Sequence, residues 1–271
     1  MKSSPTGFQI AFLLLALAFG AMLATTWLAS AIALPSPYYG TLGHLVAIPF
    51  QFALVLGIPA LRSLVLEGFH HPVSTPQRFE ALALAGGKVV LTFGLWGAIA
   101  LWGLHVTHRA NDVTAFGFLT EPTAMDEHYF AAWGLVGAAY AISLGPLIEE
   151  VLYRGVLYRL WERQWGWVAA ALLSSIVFSL VHPHNLIQTF FSGILYACLF
   201  HRTGSIWATT LCHATYNLLI AWPLLGHVLL LKPADASTSL IPWTANLICL
   251  PLAIVAFVLY VRLALAAPER T

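Results

Sequence analysis

FQIAFLLLALAFGAMLATTWLASAIAL, residues 8–34, runs for 27 residues without a charged side chain. About 20 mainly apolar residues suffice for a helix to cross the hydrocarbon of a bilayer. Seven further runs follow, at about 43–66, 87–106, 129–158, 166–182, 185–200, 205–231 and 241–264. They are far longer than the strands of a barrel. A backbone in lipid must satisfy its own polar groups, so helices are the remaining solution. Composition agrees: 59% of the residues are hydrophobic, 8% are charged and the mean hydropathy is +0.81. A soluble domain carries about a quarter of its residues as charges, so a soluble globule is excluded, and so are a disordered chain and a disulfide scaffold. The expected fold class is therefore all-α, a polytopic membrane protein with a bundle of about eight transmembrane helices. It forms one domain over 1–271: N-terminal spans in 1–128, core spans in 129–231 and a last span in 232–271.

Lysine and arginine placement orients the bundle, because cytoplasmic loops collect positive charge. With the N-terminus inside and eight alternating spans, Lys2, Arg62, Arg78, Lys88, Arg159, Arg163, Arg202, Arg262 and Arg270 all fall inside. Arg109 and Lys232 fall outside, and Arg154 lies within a span. Both termini are then cytoplasmic. Ala29-Ser30-Ala31 resembles a signal-peptide cleavage site, but the apolar run around it exceeds the ~7–15 residues of a signal core. The first span is therefore expected to remain. A net charge of +1 offers no basic face for nucleic acid. Cys198, Cys212 and Cys249 sit in apolar runs without metal-knuckle spacing and read as buried hydrophobes. Most tryptophans, Trp161 among them, read as interface anchors.

Ionisable groups inside a membrane are costly and point to function. Here they gather in one region. Glu149, Glu150 and Arg154 lie in the fourth span, His182 ends the fifth, and His213 and Asn217 lie in the seventh. At ~100° per residue, Glu150 and Arg154 are neighbours on one helix face, with the acid on the favourable N-terminal side. They read as a buried, orienting ion pair. Glu149 points elsewhere and has no local partner, so it reads as the group that does chemistry. Measured from the cytoplasmic helix ends at ~1.5 Å per residue, Glu149 lies roughly 15 Å deep, Asn217 roughly 16 Å and His213 roughly 10 Å. His182, at roughly 22 Å, fits less well unless its helix tilts or starts late. Gly145-Pro146 is expected to kink the fourth helix and release a carbonyl.

These residues resemble the motifs of the CAAX protease and bacteriocin-processing (CPBP, or Abi) family of intramembrane endopeptidases. Glu149-Glu150 through Arg154 resembles its Glu-Glu-x-x-x-Arg, Phe178 through His182 its Phe-x-x-x-His, and His213 through Asn217 its His-x-x-x-Asn. The stretch Arg202-Thr203-Gly204-Ser205-Ile206-Trp207 is similar to that of bacterial members. The resemblance covers about residues 140–220. It implies a bundle of about eight helices that cleaves a peptide bond near the C-terminus of a membrane-associated substrate, lipidated in the eukaryotic relatives. It also implies that Glu149 activates a water with His182 while His213 and Asn217 form an oxyanion hole, without a cofactor. The expected location is the inner membrane of a bacterial cell, and the expected partners are the bilayer and a protein or peptide substrate.

Amide hydrolysis needs a base for water, donors for the developing oxyanion and a proton for the leaving amine, which these residue types supply. Two alternatives stay open. Glu149, His182 and His213 could instead be three ligands of a zinc with an open fourth position, although His-Glu-x-x-His is lacking. Buried Glu, Arg and His also mark proton relays, so a transporter or immunity-type membrane protein without enzymatic activity is the other. Ser192-Gly193 is no serine-protease motif, because Phe190 stands where glycine is needed. The aspartates Asp112, Asp126 and Asp235 all lie in loops. Gly193 reads as a site of close helix packing.

Overall fold

A computed structural model describes residues 7–31, 38–107, 137, 139–182, 186–229 and 243–267. Among them the chain is all-helical, with no strand. In chain order the helices are α1 (Gly7–Ala31), α2 (Tyr38–Gly57), α3 (Pro59–Phe69) and α4 (Thr75–Thr107). Then come α5 (Leu144–Glu150), a π-helical segment (Val151–Tyr158), α6 (Arg159–Leu180), α7 (Leu186–Thr203), α8 (Ile206–Leu229) and α9 (Trp243–Leu265). The loop acids Asp112 and Asp126, Lys232 and the Pro183-to-Asn185 connection lie outside the described residues, as does most of the first part of the expected fourth span.

Among the described residues no single helix is long and apolar enough to cross a membrane. One bent pair, Pro49–Gly57 with Pro59–Phe69, meets that measure together, with a bend of 108°. The eight-span count is not established by these helices, and the expected second span is two helices rather than one. Proline explains the bend. Pro59 stands at the start of α3, and Ile58 before it is extended (φ −96°, ψ 110°), as the residue before a proline prefers to be. The exterior is apolar all the same. Phe12, Trp27 and Leu252 are 75%, 73% and 67% exposed, on helices α1 and α9. Such outward-facing apolar surface fits a lipid surround.

Three more boundaries differ from the sequence expectation, each for a local reason. Helix α4 begins 12 residues earlier than 87, at Thr75. The Ser74 amide and hydroxyl both donate to Gln77 Oε1, at 2.9 and 3.0 Å, and Pro76 fits the first turn, so a polar cap starts the helix. The expected fourth span breaks at Ser143, whose backbone is non-helical (φ −130°, ψ −92°). Pro146 then falls in the first turn of α5, where its missing N–H is not needed. It helps start a helix instead of kinking one. Finally, α6 carries a corner at Gly166, where φ is 79° and ψ 168°, a conformation that suits glycine.

That corner makes a hairpin. The π segment and the run after Gly166 lie side by side, with the Tyr153 and Phe178 rings edge to face at 5.1 Å. All eight residues of the π segment are buried, at the centre of the main apolar core formed with α1, α2, α3 and α6. Trp161 belongs to this core at 1% exposure, so it is not an interface anchor. Helix α7 packs along α6, and Gly193 permits the approach: a Cβ there would stand 2.9 Å from the Ser175 Cα. Helices α4, α7 and α8 form a second core around Ala81, Tyr196, Leu199 and Cys212. Cys198 and Cys212 are buried free thiols.

The α7–α8 turn is built by residues 202–207. Gly204 adopts φ 63°, closes the end of α7 with its amide on the Phe200 carbonyl at 2.7 Å and fits the left-handed cap that glycine favours. The Ser205 hydroxyl donates to the His71 carbonyl at 2.6 Å, tying the turn to the connection before α4. Ion pairs bind the same end of the bundle: Arg159 and Arg163 meet Glu67 at 2.7 and 3.4 Å, and Arg202 meets Glu80 at 2.7 Å. Lys88 does not join them. It lies 13 residues into α4, about 20 Å from its start, with only 3% exposure, so it is no loop charge.

Candidate active site

Glu149 and Glu150 end α5, immediately before the π segment. Wide π turns occur mostly as short insertions and often at functional sites. Glu150 and Arg154 are fully buried, and their side chains pair at 3.2 Å (Nη1 to Oε1). Arg154 Nη2 also donates to the Gly193 carbonyl at 3.1 Å, so the guanidinium ties the π segment to α7. It lies over the Phe178 ring, 4.8 Å from its centre.

Glu150 has a second partner that helix periodicity cannot reveal. Its Oε1 accepts a hydrogen bond from His213 Nδ1 at 2.9 Å. The carboxylate therefore joins α5 to α8 as well as balancing Arg154. With Nδ1 held in this way, His213 turns Nε2 toward Glu149 Oε2, 3.9 Å away. The ring is clamped from the side by Tyr196, stacked at 4.7 Å and 25°.

His182 approaches Glu149 from the opposite side, with Nε2 4.0 Å from Oε1. The depth mismatch expected from the sequence vanishes because Arg159 is not a helix end. The helix runs on to the Gly166 corner, with Glu149 standing 17 residues before that glycine and His182 16 after it. The two arms of the hairpin thus bring the side chains level. His182 Nδ1 lies 2.8 Å from the Phe178 carbonyl. A carbonyl only accepts, so Nδ1 carries a proton, and Nε2 is the nitrogen that faces Glu149. Phe178 itself is 2% exposed, and its ring packs on His182 at 4.8 Å and on His213 at 6.0 Å. It is the wall that sets the spacing of the two imidazoles.

Asn217 lies one turn beyond His213 on α8, and its Nδ2 donates to the Ala141 carbonyl at 2.7 Å. That bond fastens α8 to the backbone freed by the break at Ser143, and uses one of the two amide hydrogens. Both carboxylate-to-imidazole separations around Glu149 exceed a direct hydrogen bond. Among the described residues, no group of three or more His, Cys, Asp or Glu is gathered closely enough to hold a metal ion. An apolar groove of about 690 Å³ opens beside the cluster, lined by Phe69, Leu144, Leu147, Trp207, Leu211 and Ala214. Leu147 lies two residues before Glu149, and Ala214 follows His213.

The structure also brings in residues that the sequence reading passed over. Tyr196 and the Gly193 carbonyl reach the cluster from α7, and Lys88 reaches Tyr196 from α4. Lys88 carried a signal: it is the one ammonium in an otherwise apolar run. It stands at the edge of the apolar run that begins at about 87, where it counts with the cytoplasmic charges.

A buried pair of carboxylates, a guanidinium and two imidazoles thus gather beside an apolar groove in the helical bundle. Residues 131–219 match the family described as type II CAAX prenyl endopeptidase Rce1-like. That range includes Glu149, Glu150, Arg154, Phe178, His182, His213 and Asn217. A Bacillus subtilis (strain 168) protein named "Putative membrane peptidase YdiL" is 30% identical over 80 residues, covering 28% of this chain and 32% of that protein. The chain thus matches about a third of the length of this curated relative. No solved structure matches the chain. The similarity to the Rce1-like family is thus confined to the central third of the chain, the part that carries the buried charges.

Proposed function

We propose that the chain is an intramembrane endopeptidase that hydrolyses a peptide bond near the C-terminus of a membrane-associated protein, with or without an attached lipid. In this reading it forms about eight spans in a cell inner membrane, with both termini cytoplasmic. Glu149 is the general base, and the catalysis needs no metal.

One observation carries the reading. His182 Nε2 and Glu149 Oε1 stand 4.0 Å apart, and Nδ1 of His182 donates to the Phe178 carbonyl at 2.8 Å. In the singly protonated form of His182, Nε2 and the carboxylate both accept, and one water beside them can give a hydrogen to each. Such a water has its oxygen lone pairs free for a carbonyl carbon. Glu149 takes one proton as the oxygen attacks, and a tetrahedral oxyanion forms. His213 donates to it from Nε2 in the doubly protonated form, with its Nδ1 hydrogen held by Glu150. Asn217 offers its second amide hydrogen. Glu149 then passes its proton to the leaving nitrogen and the C–N bond breaks. The apolar groove receives the membrane-embedded part of the substrate beside the scissile bond.

The test is cleavage by the purified protein in vesicles, using a quenched-fluorescent peptide anchored by a lipidated cysteine near its C-terminus. Time-dependent release of a C-terminal fragment, undiminished by stringent chelation in metal-free buffer, is the expected result. A rate abolished by chelation and restored by zinc would overturn the metal-free mechanism in favour of a metal site on the same three side chains.

A further inference from the structure

Lys88 is the buried charge that the proposed mechanism leaves unused. At 3% exposure it lies well inside α4, where an ammonium is costly and must be compensated. Among the described residues no carboxylate lies within ion-pair distance of it. Its Nζ donates instead to the Tyr196 hydroxyl, and it sits over the Tyr216 ring, 3.3 Å from the ring centre. Both contacts are of the kind that holds a cation in an apolar surround. Tyr216 is fixed in turn by Thr92, whose Oγ1 is 3.0 Å from its hydroxyl, and by Gln188. Tyr196 is the same ring that stacks on His213 at 4.7 Å. Lys88 is therefore one aromatic ring away from the imidazole that faces Glu149.

Charge accounting gives this placement a purpose. Two carboxylates, Glu149 and Glu150, meet a single guanidinium, Arg154. Before His213 takes the second proton that the oxyanion step uses, both histidines are neutral and the cluster carries one uncompensated negative charge in a medium that screens poorly. The ammonium supplies the missing positive charge without touching either carboxylate, so it balances Glu149 and leaves its oxygens free. The cavity that Lys88 lines is shared with Glu80 of α4, Arg202 of α7 and Tyr260 of α9, and further charged and titratable groups surround it. They are Glu149 and Glu150 from α5, Arg154 from the π segment, His182 from the end of α6, Tyr196 from α7, and Cys212, His213 and Tyr216 from α8.

We propose that Lys88 is a positioning residue of the peptidase site, the second cation that keeps Glu149 available as a base and, through the Tyr196 ring, holds the His213 imidazole. The inference rests on the peptidase reading above. It is tested on full-length protein in vesicles with the lipid-anchored quenched-fluorescent peptide, comparing wild type, Glu149→Gln, Lys88→Gln and Lys88→Arg across pH. Gln keeps a donor for the Tyr196 hydroxyl and removes only the charge, while Arg keeps the charge.

Lys88→Gln is expected to lower kcat by roughly 10- to 100-fold at neutral pH, with KM within about threefold of wild type. The loss shrinks as pH rises, because alkaline solution restores a base that the missing cation no longer favours. Lys88→Arg is expected to stay within about fivefold of wild type. A folded Lys88→Gln protein with wild-type kcat, or a loss that is equal at every pH, would overturn the inference while Glu149-dependent cleavage stands. If Lys88→Gln does not accumulate, Lys88→Met, which refills the apolar volume, takes its place. Failure of both neutral variants to fold would make Lys88 a folding element and overturn the inference as well. Absence of Glu149-dependent cleavage in the wild type would overturn the peptidase reading and this inference together.

Discussion

Glu149→Gln is expected to lower kcat by about 10²- to 10⁴-fold, the usual contribution of a positioned general base, while the protein folds and melts as wild type does. The substitution is nearly isosteric, and Glu149 makes no direct hydrogen bond to either imidazole: its closest approaches are 4.0 Å to His182 and 3.9 Å to His213. Little structure therefore depends on its charge, whereas an amide oxygen cannot take a proton from water at useful rates. Activity measured beside a thermal melt in the same detergent separates the two effects. A Glu149→Gln protein that melts normally and cleaves normally would remove Glu149 from the chemistry. A collapse of stability would instead assign it a structural role.

The second large effect falls on Arg154. Arg154→Ala is expected to cost about 3–5 kcal/mol of stability, because removing one partner of a buried pair strands the other charge. The side chain serves Glu150 at 3.2 Å and the Gly193 carbonyl at 3.1 Å, and both are out of reach of water. Glu150 would keep only His213 as a partner, so activity should fall together with folded yield. A paired change, Arg154→Met with Glu150→Gln, should recover part of the lost stability, since two neutral side chains leave no stranded charge. It should not recover activity, because the carboxylate that holds His213 Nδ1 is gone. The measurement is the melting temperature and monodisperse yield of the three proteins. An Arg154→Ala protein as stable as wild type would contradict the account.

The helical class was legible because lipid leaves few alternatives for long apolar runs, and the described residues form helices throughout. The breaks were harder to see. Ile58-Pro59 and Gly166 are each a short signal inside an apolar stretch, and their effect depends on which neighbouring helix offers a surface to turn against. The Glu150–Arg154 spacing is a local relation of four residues, so it could be stated from the chain alone. The Glu150–His213 bond joins residues 63 apart, and no periodicity encodes such a meeting. The depth of His182 depends on the Gly166 corner, because the helix that carries Glu149 continues past Arg159 to that glycine. Lys88 was misplaced for a related reason: the polar cap at Ser74 starts α4 well before the apolar run does, which carries an apparent loop charge deep into the bundle.

The most direct measurement is a comparison of the C-terminal peptides of membrane proteins from cells that express the wild type or Glu149→Gln at matched levels. The account predicts at least one membrane-associated protein that ends at a shorter C-terminus with the wild type and stays full length with the variant. Identical C-termini in the two samples, with any cellular effect of the protein preserved in Glu149→Gln, would contradict it.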